Sequence, residues 1–526
     1  MTYRCLLFVV ASCVLAALPG CSLERVGFQG DGPTPRDGGG IDGGGVDASF
    51  DAGSIEEDAG DDGAVIDEDA GFDGGIVEDA GSDAGTAGQD AGRDAGMVDG
   101  GCSGPPSCSG GQLTTCVAGA PVVTACALGC AAAGTSCRAV VPSNVGGMVA
   151  FTDGTAALDV VNDEVWIAYP DTGLIEVRDG NNPATVLRNV RDAGVGTNNG
   201  IRYAQIAGSG GANYGVFVVG SLRVRQLGVL AGSGGTRSLV IVSAGDVLIE
   251  GLVTVSGTGF GPGPGGGAGG PAETDGSGAG GGHRGESDSG LGNDDDGGGG
   301  GGSHASVGAA GGDSPEADGG AEGSTYGDAD LVPLRGGSGG GGGGDDSGGR
   351  GGHGGGALQI TSATSITVTA SGAIDAGGEG GHGGTTGGLV IDSGAGGGGG
   401  SGGAILVEAI TVTLAAGRVG APGGAGGQGA RCDNCSDSNN GAEGGDGSVL
   451  MVPAQGVPSN GSGGGGGAGS TLTGMATAGS DQVNGGGGGG GSGRVRINNA
   501  TGAGTYTVVP STTSGLSSVG SVPRTP

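Results

Sequence analysis

Residues 240–270 read "VIVSAGDVLIEGLVTVSGTGFGPGPGGGAGG". As far as Val255 the stretch alternates like a strand with one face buried, and from Gly257 it gives way to glycine. The pattern recurs. "YGVFVVGSLRVRQLGVLAGSGG" begins at Tyr214, "SLVIVSAGDVLIEGLVTVSGTG" at Ser238, "ALQITSATSITVTASGAIDAGGEGG" at Ala357 and "AILVEAITVTLAAGRVGAPGGAGG" at Ala404. In each, two or three short strands are separated by small residues, and a glycine-rich passage of unequal length follows. Such repetition predicts an all-β fold, a right-handed parallel β-solenoid whose strands pair with their counterparts in the next coil. Antiparallel hairpins in a sandwich are the alternative, but they explain neither the repeat nor coils that tolerate interruption.

The solenoid is expected over 214–510, with glycine-rich insertions at 257–356, 377–403, 423–447 and 459–493. Loop-closure cost grows only logarithmically with length, so such insertions are tolerated. Proline is sparse and no strict Gly-x-y period holds, which excludes collagen. Runs of six and seven glycines suit packed polyglycine II helices, where only a residue without a side chain permits close backbone approach. Disordered loops are the alternative. Residues 142–213, with the single Trp166, read as a β-rich N-terminal part or cap. Near the end, "GRVRIN" returns to a strand with Val495 and Ile497 inward and Arg494 and Arg496 outward, and 511–526 reads as a frayed end.

Composition narrows the function. Of 526 residues 143 are glycine and 3% are aromatic, so a conventional layered core along the whole chain is not expected. The net charge of −35 argues against nucleic acid, which needs a cationic footprint. All basic residues are arginine, which rules out a phosphate-binding loop lysine, a Schiff-base lysine and a Ser–Lys dyad.

Residues 1–20 carry an export signal: Arg4, then the apolar "CLLFVVASCVLAAL", too short to span a bilayer. The run ends in "LPGCS", which matches a lipoprotein box with Cys21 as the lipidated residue, although Pro19 stands where a small residue is usual. Ser22 lacks the aspartate that retains many such proteins at an inner membrane, so the outer membrane is the expected location. Residues 21–101 form an acidic tether repeating "DAG", with 20 carboxylates between Asp31 and Asp99 against Arg36 and Arg93. With few large apolar side chains it does not offset its ordering entropy and is expected to be disordered, with a mean span of roughly 50 Å. Within 102–141, Cys102, Cys108, Cys116, Cys126, Cys130 and Cys137 form a small module that reads as three disulfides of undetermined pairing. Cys432 and Cys435, in an insertion, read as a further local disulfide.

The lipobox, the "DAG" tether, the Cys-rich module and the order "GVFVVGSLRV…LVIVSAGDVLIEG…GGGALQI…SGGAILVEA…GRVRIN" resemble a group of glycine-rich surface lipoproteins from bacteria with large, GC-rich genomes. The glycine tracts share their composition with PGRS-type surface proteins. This resemblance implies an envelope location and no particular activity.

Catalytic motifs are few. Ser338 and Ser401 stand in GxSxG matches, but neither follows a strand into a helix as a nucleophile elbow must. His283, His304, His353 and His382 are far apart in glycine passages and read as solvent-facing. Asp294, Asp295 and Asp296, with Asp345 and Asp346, are candidate calcium ligands. "GAEGGDGSV" half-matches a nonapeptide calcium repeat but has Ser448 where a large apolar residue belongs. Asp246, Glu250, Asp375 and Glu408 are strand-region acids that an enzyme of the polysaccharide-degrading type would need to bring together. The reading is a lipid-anchored, non-catalytic surface protein with a structural or contact role. Its expected partners are the membrane through the lipid, and extracellular polysaccharide or neighbouring surface proteins; no cofactor is expected, calcium aside. A glycan- or calcium-binding module is the alternative, and a polysaccharide-degrading solenoid enzyme the third reading.

Overall fold

In the computed structural model the described residues are 102–288, 295–386, 393–414, 416–432, 438–449, 454–470, 475–504 and 516–526. The signal peptide, Cys21, the tether, Asp294, Cys435, the side chain of Cys432 and residues 511–515 lie outside them. The cysteine module is an antiparallel meander of β1 (Ser107–Ser109), β2 (Gln112–Val117) and β3 (Ala120–Ala125). All six cysteines are paired, as Cys102–Cys116, Cys108–Cys130 and Cys126–Cys137. Every residue of β3 is exposed. The covalent links therefore do what a hydrophobic core does in a larger domain.

The body starts with β4 (Ala157–Val160) and β5 (Glu164–Ala168), followed by β6 (Ile175–Asp179), β7 (Asn182–Arg191), β8 (Gly196–Asn198) and β9 (Ile201–Ala207). Strand triplets then succeed one another. They are β10 (Asn213–Val219), β11 (Ser221–Val224) and β12 (Val229–Gly232), then β13 (Ser238–Ser243), β14 (Val247–Ile249) and β15 (Leu252–Thr254). After a glycine passage come β16 (Ala357–Ser362), β17 (Ser365–Val368) and β18 (Ala373–Asp375). After another come β19 (Ala404–Glu408), β20 (Thr411–Leu414) and β21 (Arg418–Gly420). A hairpin of β22 (Arg431–Cys432) and β23 (Ser438–Asn439) lies in the third passage, and β24 (Arg494–Asn499) and β25 (Ser517–Ser521) close the chain. The helical pieces among the described residues are three-residue turns.

The protein is all-β, with mixed and parallel sheets. The first strand of each triplet joins an eight-stranded sheet ordered β25-β24-β19-β16-β13-β10-β9-β8. The second joins a five-stranded sheet, β20-β17-β14-β11-β4, and the third a seven-stranded one, β21-β18-β15-β12-β5-β6-β7. Within the triplets and on to β25 the pairing is parallel; β6, β7, β8 and β9 add antiparallel strands at the N-terminal side. Register stacks like on like: Phe217, Ile241, Ile360, Val407 and Ile497 face one another in sequence across five strands. With Leu222, Val247, Ile366 and Val412 from the second sheet and Leu230, Val253, Ile374 and Val419 from the third, this column makes one core.

The middle strands of the eight-stranded sheet are buried on both faces. Its outer residues Tyr214, Val216, Val218, Val240, Val242 and Leu406 pack under Val145, Val149, Leu331 and Leu334. All six residues of β13 are consequently buried. Val495 and Ile497 point into the core, as the alternation of β24 requires. The expectation of a frayed end at 511–526 is corrected in its described part. Ser517–Ser521 pairs in parallel with β24, and the Val141 and Thr525 amides bond to the carbonyls of Pro523 and Ala139. The unpaired edge of β24 is what recruits this last strand.

Each long glycine passage leaves after the third strand of a triplet and returns at a first strand. They are not loose. In the segment 396–402, the amides of Gly396, Gly399 and Gly402 donate to Gly485, Gly488 and Gly491. Those of Gly397 and Gly400 donate to His382 and Glu379, and those of Gly398 and Ser401 to Gly341 and Ser338. Its carbonyls accept from three further segments: Gly299 and Gly302, Gly424 and Gly427, Gly352 and Gly355. One segment thus bonds six neighbours, each at a three-residue interval, with N···O distances of 2.8–2.9 Å. A methyl group on Gly400 would overlap the His353 carbonyl, and one on Gly398 the Gly300 carbonyl.

Candidate functional site

The densest ionisable chemistry lies on the edge of the glycine layer. Arg350 and His353, Glu379 and His382, and Glu443 and Asp446 are three pairs spaced by three residues. In an extended backbone repeating every three residues, that spacing puts both side chains of a pair on one side. The segments are neighbours: the Glu379 amide donates to the His353 carbonyl at 2.8 Å, the His382 amide to Arg350 at 2.8 Å, and the Gly444 amide to Gly381 at 2.9 Å.

Glu379 is the buried centre. Its Oε1 lies 3.0 Å from Arg350 Nη2 and 3.4 Å from His382 Nε2, and its Oε2 accepts the His353 amide at 2.9 Å. Burial alone would raise this carboxyl, but His382, Arg350 and the His353 amide together hold it below the usual glutamate range. His382 Nδ1 lies 3.2 Å from Glu443 Oε1, so carboxylate oxygens flank both its ring nitrogens. Asp446 accepts the Gly380 amide at 2.9 Å, and burial pushes its carboxyl up to about 6.

His353 decides what the cluster can do. Its Nδ1 accepts the Gly269 amide at 2.8 Å, so the ring proton of the neutral imidazole sits on Nε2, 3.9 Å from Glu379 Oε2. Neither nitrogen then offers a lone pair to a metal. Burial pulls its pKa down to about 4. Arg350 pairs with Glu379, and His382 joins Glu379 to Glu443, so the arrangement is an ionisable brace across three segments. Among the described residues, the one group with three ligand atoms mutually within 4.8 Å is Cys108, Cys126 and Cys137, all spent on disulfides.

The other candidates stand apart. Asp295 and Asp296 are buried, and the Asp288 amide donates to Asp296 Oδ1 at 3.1 Å. Asp345 donates its amide to Ser287 at 2.7 Å, and its carboxylate accepts the Asp346 amide. The four strand-region acids do not converge: Asp246 and Glu250 flank β14, Asp375 ends β18 and Glu408 ends β19, strands of three different sheets. Asp246 accepts from Thr364 and Ser365 at 2.7 Å each, and Glu250 pairs with Arg223 at 2.8 Å. Asp375 sits beside Ser256, its carboxyl pushed up by burial to about 7. Glu408 is covered by the segment that carries Ser143.

One expectation needs correction. The histidines are not generally solvent-facing: His304 is fully buried, its Nδ1 3.0 Å from the Gly402 carbonyl and its ring 4.7 Å from that of Tyr326. His353 is largely covered as well, whereas His283 is exposed and lies 3.4 Å from Asp275. Ser338 and Ser401 are also fully buried. Ser338 Oγ donates to Tyr326 Oη and accepts the Gly280 amide, both at 3.0 Å, and Ser401 Oγ accepts the Ser338 amide at 2.8 Å. Both hydroxyls serve packing of the glycine layer. Arg350 and Glu379 escaped the sequence reading, their only signal being three-residue spacing beside glycine; Glu443 and Asp446 are the acids of "GAEGGDGSV", read there as a half-match to a calcium repeat.

No protein-family model matches the chain, and no curated protein or solved structure matches it. Among the described residues no helix is long and apolar enough to cross a membrane.

Proposed function

We propose that this chain is a lipid-anchored structural and contact protein of the cell surface, without a catalytic role. Its body is a right-handed parallel β-solenoid in which each strand triplet makes one coil. The insertions at its corner are polyglycine II helices in a hexagonal array. Cys21 carries the lipid at the outer membrane, and the acidic tether of 21–101 holds the body away from the bilayer. The body acts by presenting a stiff surface to extracellular polysaccharide or to neighbouring surface proteins.

The observation that carries this reading is the bonding of 396–402 to six neighbouring segments. A block cross-linked by backbone hydrogen bonds all round each segment resists bending and shear, as a contact-bearing element must. Amide hydrogen exchange on the full chain tests it. Gly297–Gly302 and Gly396–Gly402 are expected to exchange as slowly as β13 and β16, and fast exchange there beside slow strands would overturn the rigid block. Metabolic labelling with a clickable palmitate in a bacterial host tests the anchor. Label and membrane fractionation are expected to vanish in Cys21→Ser, and an unlabelled wild-type protein would remove the anchor from the proposal.

A further inference from the structure

A groove of about 360 Å³ runs over the outer face of the seven-stranded sheet, across β5, β12 and β15. Its floor is Val165, Ile167, Val229 and Ala231, residues that alternate with the core-facing Trp166 and Leu230. Register sets Val165 opposite Val229, and Ile167, Ala231 and Thr254 in one row. We propose that this groove binds a neutral polysaccharide, one sugar ring to a rung.

Three observations carry the assignment. The first is the aromatic wall. Phe260, in a chain with 3% aromatic residues, is 60% exposed at the groove's rim. It sits in a tight turn closed by reciprocal bonds between Thr258 and Gly261, 3.0 and 2.8 Å long. That turn is tied down at both ends: the Gly257 amide donates to Gly377 at 2.9 Å and the Gly263 amide to Gly354 at 3.1 Å. Tyr169 also lines the groove; its hydroxyl donates to Glu176 at 2.6 Å and accepts from Arg178 at 3.3 Å, which fixes the ring. Rigid aromatic faces suit the C–H faces of a pyranose, and holding them in place before binding reduces the entropic cost.

The second observation is spacing and polarity. Successive rungs of a sheet are about 4.8 Å apart, close to the length of one pyranose residue in a chain. Hydroxyl groups of Ser233, Thr254, Ser256 and Thr258 also line the groove, and hydroxyl–hydroxyl bonding is how a neutral sugar is held. An acyl chain would gain nothing from these hydroxyls and would favour a closed cavity.

The third is charge. The chain carries −35, yet among the described residues no carboxylate lines this groove, and the one cation that does, Arg178, is paired with Glu176. The site has no net charge to hold an anion, and the field of the whole protein repels acidic polymers. A neutral glycan is the ligand that meets no electrostatic penalty here.

Isothermal titration of the full chain with cellohexaose, maltohexaose, laminarihexaose and N-acetylchitohexaose tests the assignment, with hexagalacturonate and dodecanoate as the acidic and acyl probes. At least one neutral hexaose is expected to bind. Phe260→Ala should weaken it at least about tenfold with an unchanged unfolding midpoint, and Phe260→Trp should restore it. The proposal is overturned if no neutral hexaose binds at about 10 mM, if Phe260→Ala leaves binding intact, or if either control probe binds more tightly than all four.

Discussion

Asn144 donates through Nδ2 to the Leu331 carbonyl at 2.9 Å and to Gln359 Oε1 at 3.0 Å. It accepts at Oδ1 from the Tyr214 hydroxyl at 3.1 Å and the Leu334 amide at 3.0 Å. A side-chain amide has two donors and two acceptor sites, so this one is complete and joins three parts of the chain. Glu408, beside it in the same buried layer, accepts from Ser143, Gln359, Thr361 and Asn498. Arg191, 1% exposed, has no carboxylate bound; its guanidinium donates to the carbonyls of Ile201, Gly173, Asp192, Gly194 and Gly196, fixing the turn between β7 and β8. In the glycine layer the decisive quantity is the missing Cβ. Gly400→Ala is expected to cost about 3 kcal/mol, the upper end of overpacking, because a methyl there meets backbone and not a yielding side chain. Gly147→Ala, with open space around it, should leave stability unchanged. Urea unfolding of both variants checks this, and equal midpoints would contradict the close packing at Gly400.

At the scale of elements, the strands are built by alternation and the glycine segments by its absence. β10 places Phe217 and Val219 in one cluster and Val216 and Val218 in another, which is why its sheet needs a cover on both sides. β25 shows an element made by its neighbour. "SSVGS" has little strand propensity of its own, yet it pairs residue for residue with Val495–Asn499. Truncation before Leu516 removes that partner and also the bonds from Pro523 and Thr525 to the segment Ala139–Val141. Hydrogen exchange protection in Arg494–Asn499 is expected to drop about a hundredfold in the truncated chain, with β13 and β16 unchanged. Undiminished protection of β24 would mean that the last strand contributes nothing to that edge.

At the scale of the whole molecule, buried acids link stability to pH. Asp375 and Asp446 rise from 3.8 to about 7 and about 6. Each keeps in the folded state a proton that the unfolded chain releases. Their contribution to stability is therefore complete below about pH 3.8 and is lost as pH rises through about 6 and 7. His353 and His304, pulled from 6.5 down to about 4 by burial, act oppositely: stability grows as pH rises from about 4 to 6.5. Comparing wild type with Asp375→Asn/Asp446→Asn isolates the acids. Between about pH 5 and pH 8 the wild type should lose stability relative to the double variant, read as urea midpoints at each pH. Parallel pH profiles would show that the two carboxyls do not titrate in this window.

The strand triplets, their inward faces and the all-β class were legible in the residues alone. Alternation is a local property, and a β-branched run needs no distant information to be read. So was the full pairing of the six-cysteine module, though not which sulfur meets which, since a spacing is compatible with many closures. The ionisable brace was not legible: Arg350, Glu379 and Glu443 lie in three separate passages, and only the side-by-side packing of their segments brings them together. Nor was the burial of His304 and Ser338, because glycine on either side reads as exposure until other glycine segments cover it. The sequence determined where side chains are absent; the tertiary structure decided what fills the space they leave, because a backbone stripped of side chains finds its hydrogen-bond partners wherever another such backbone can approach.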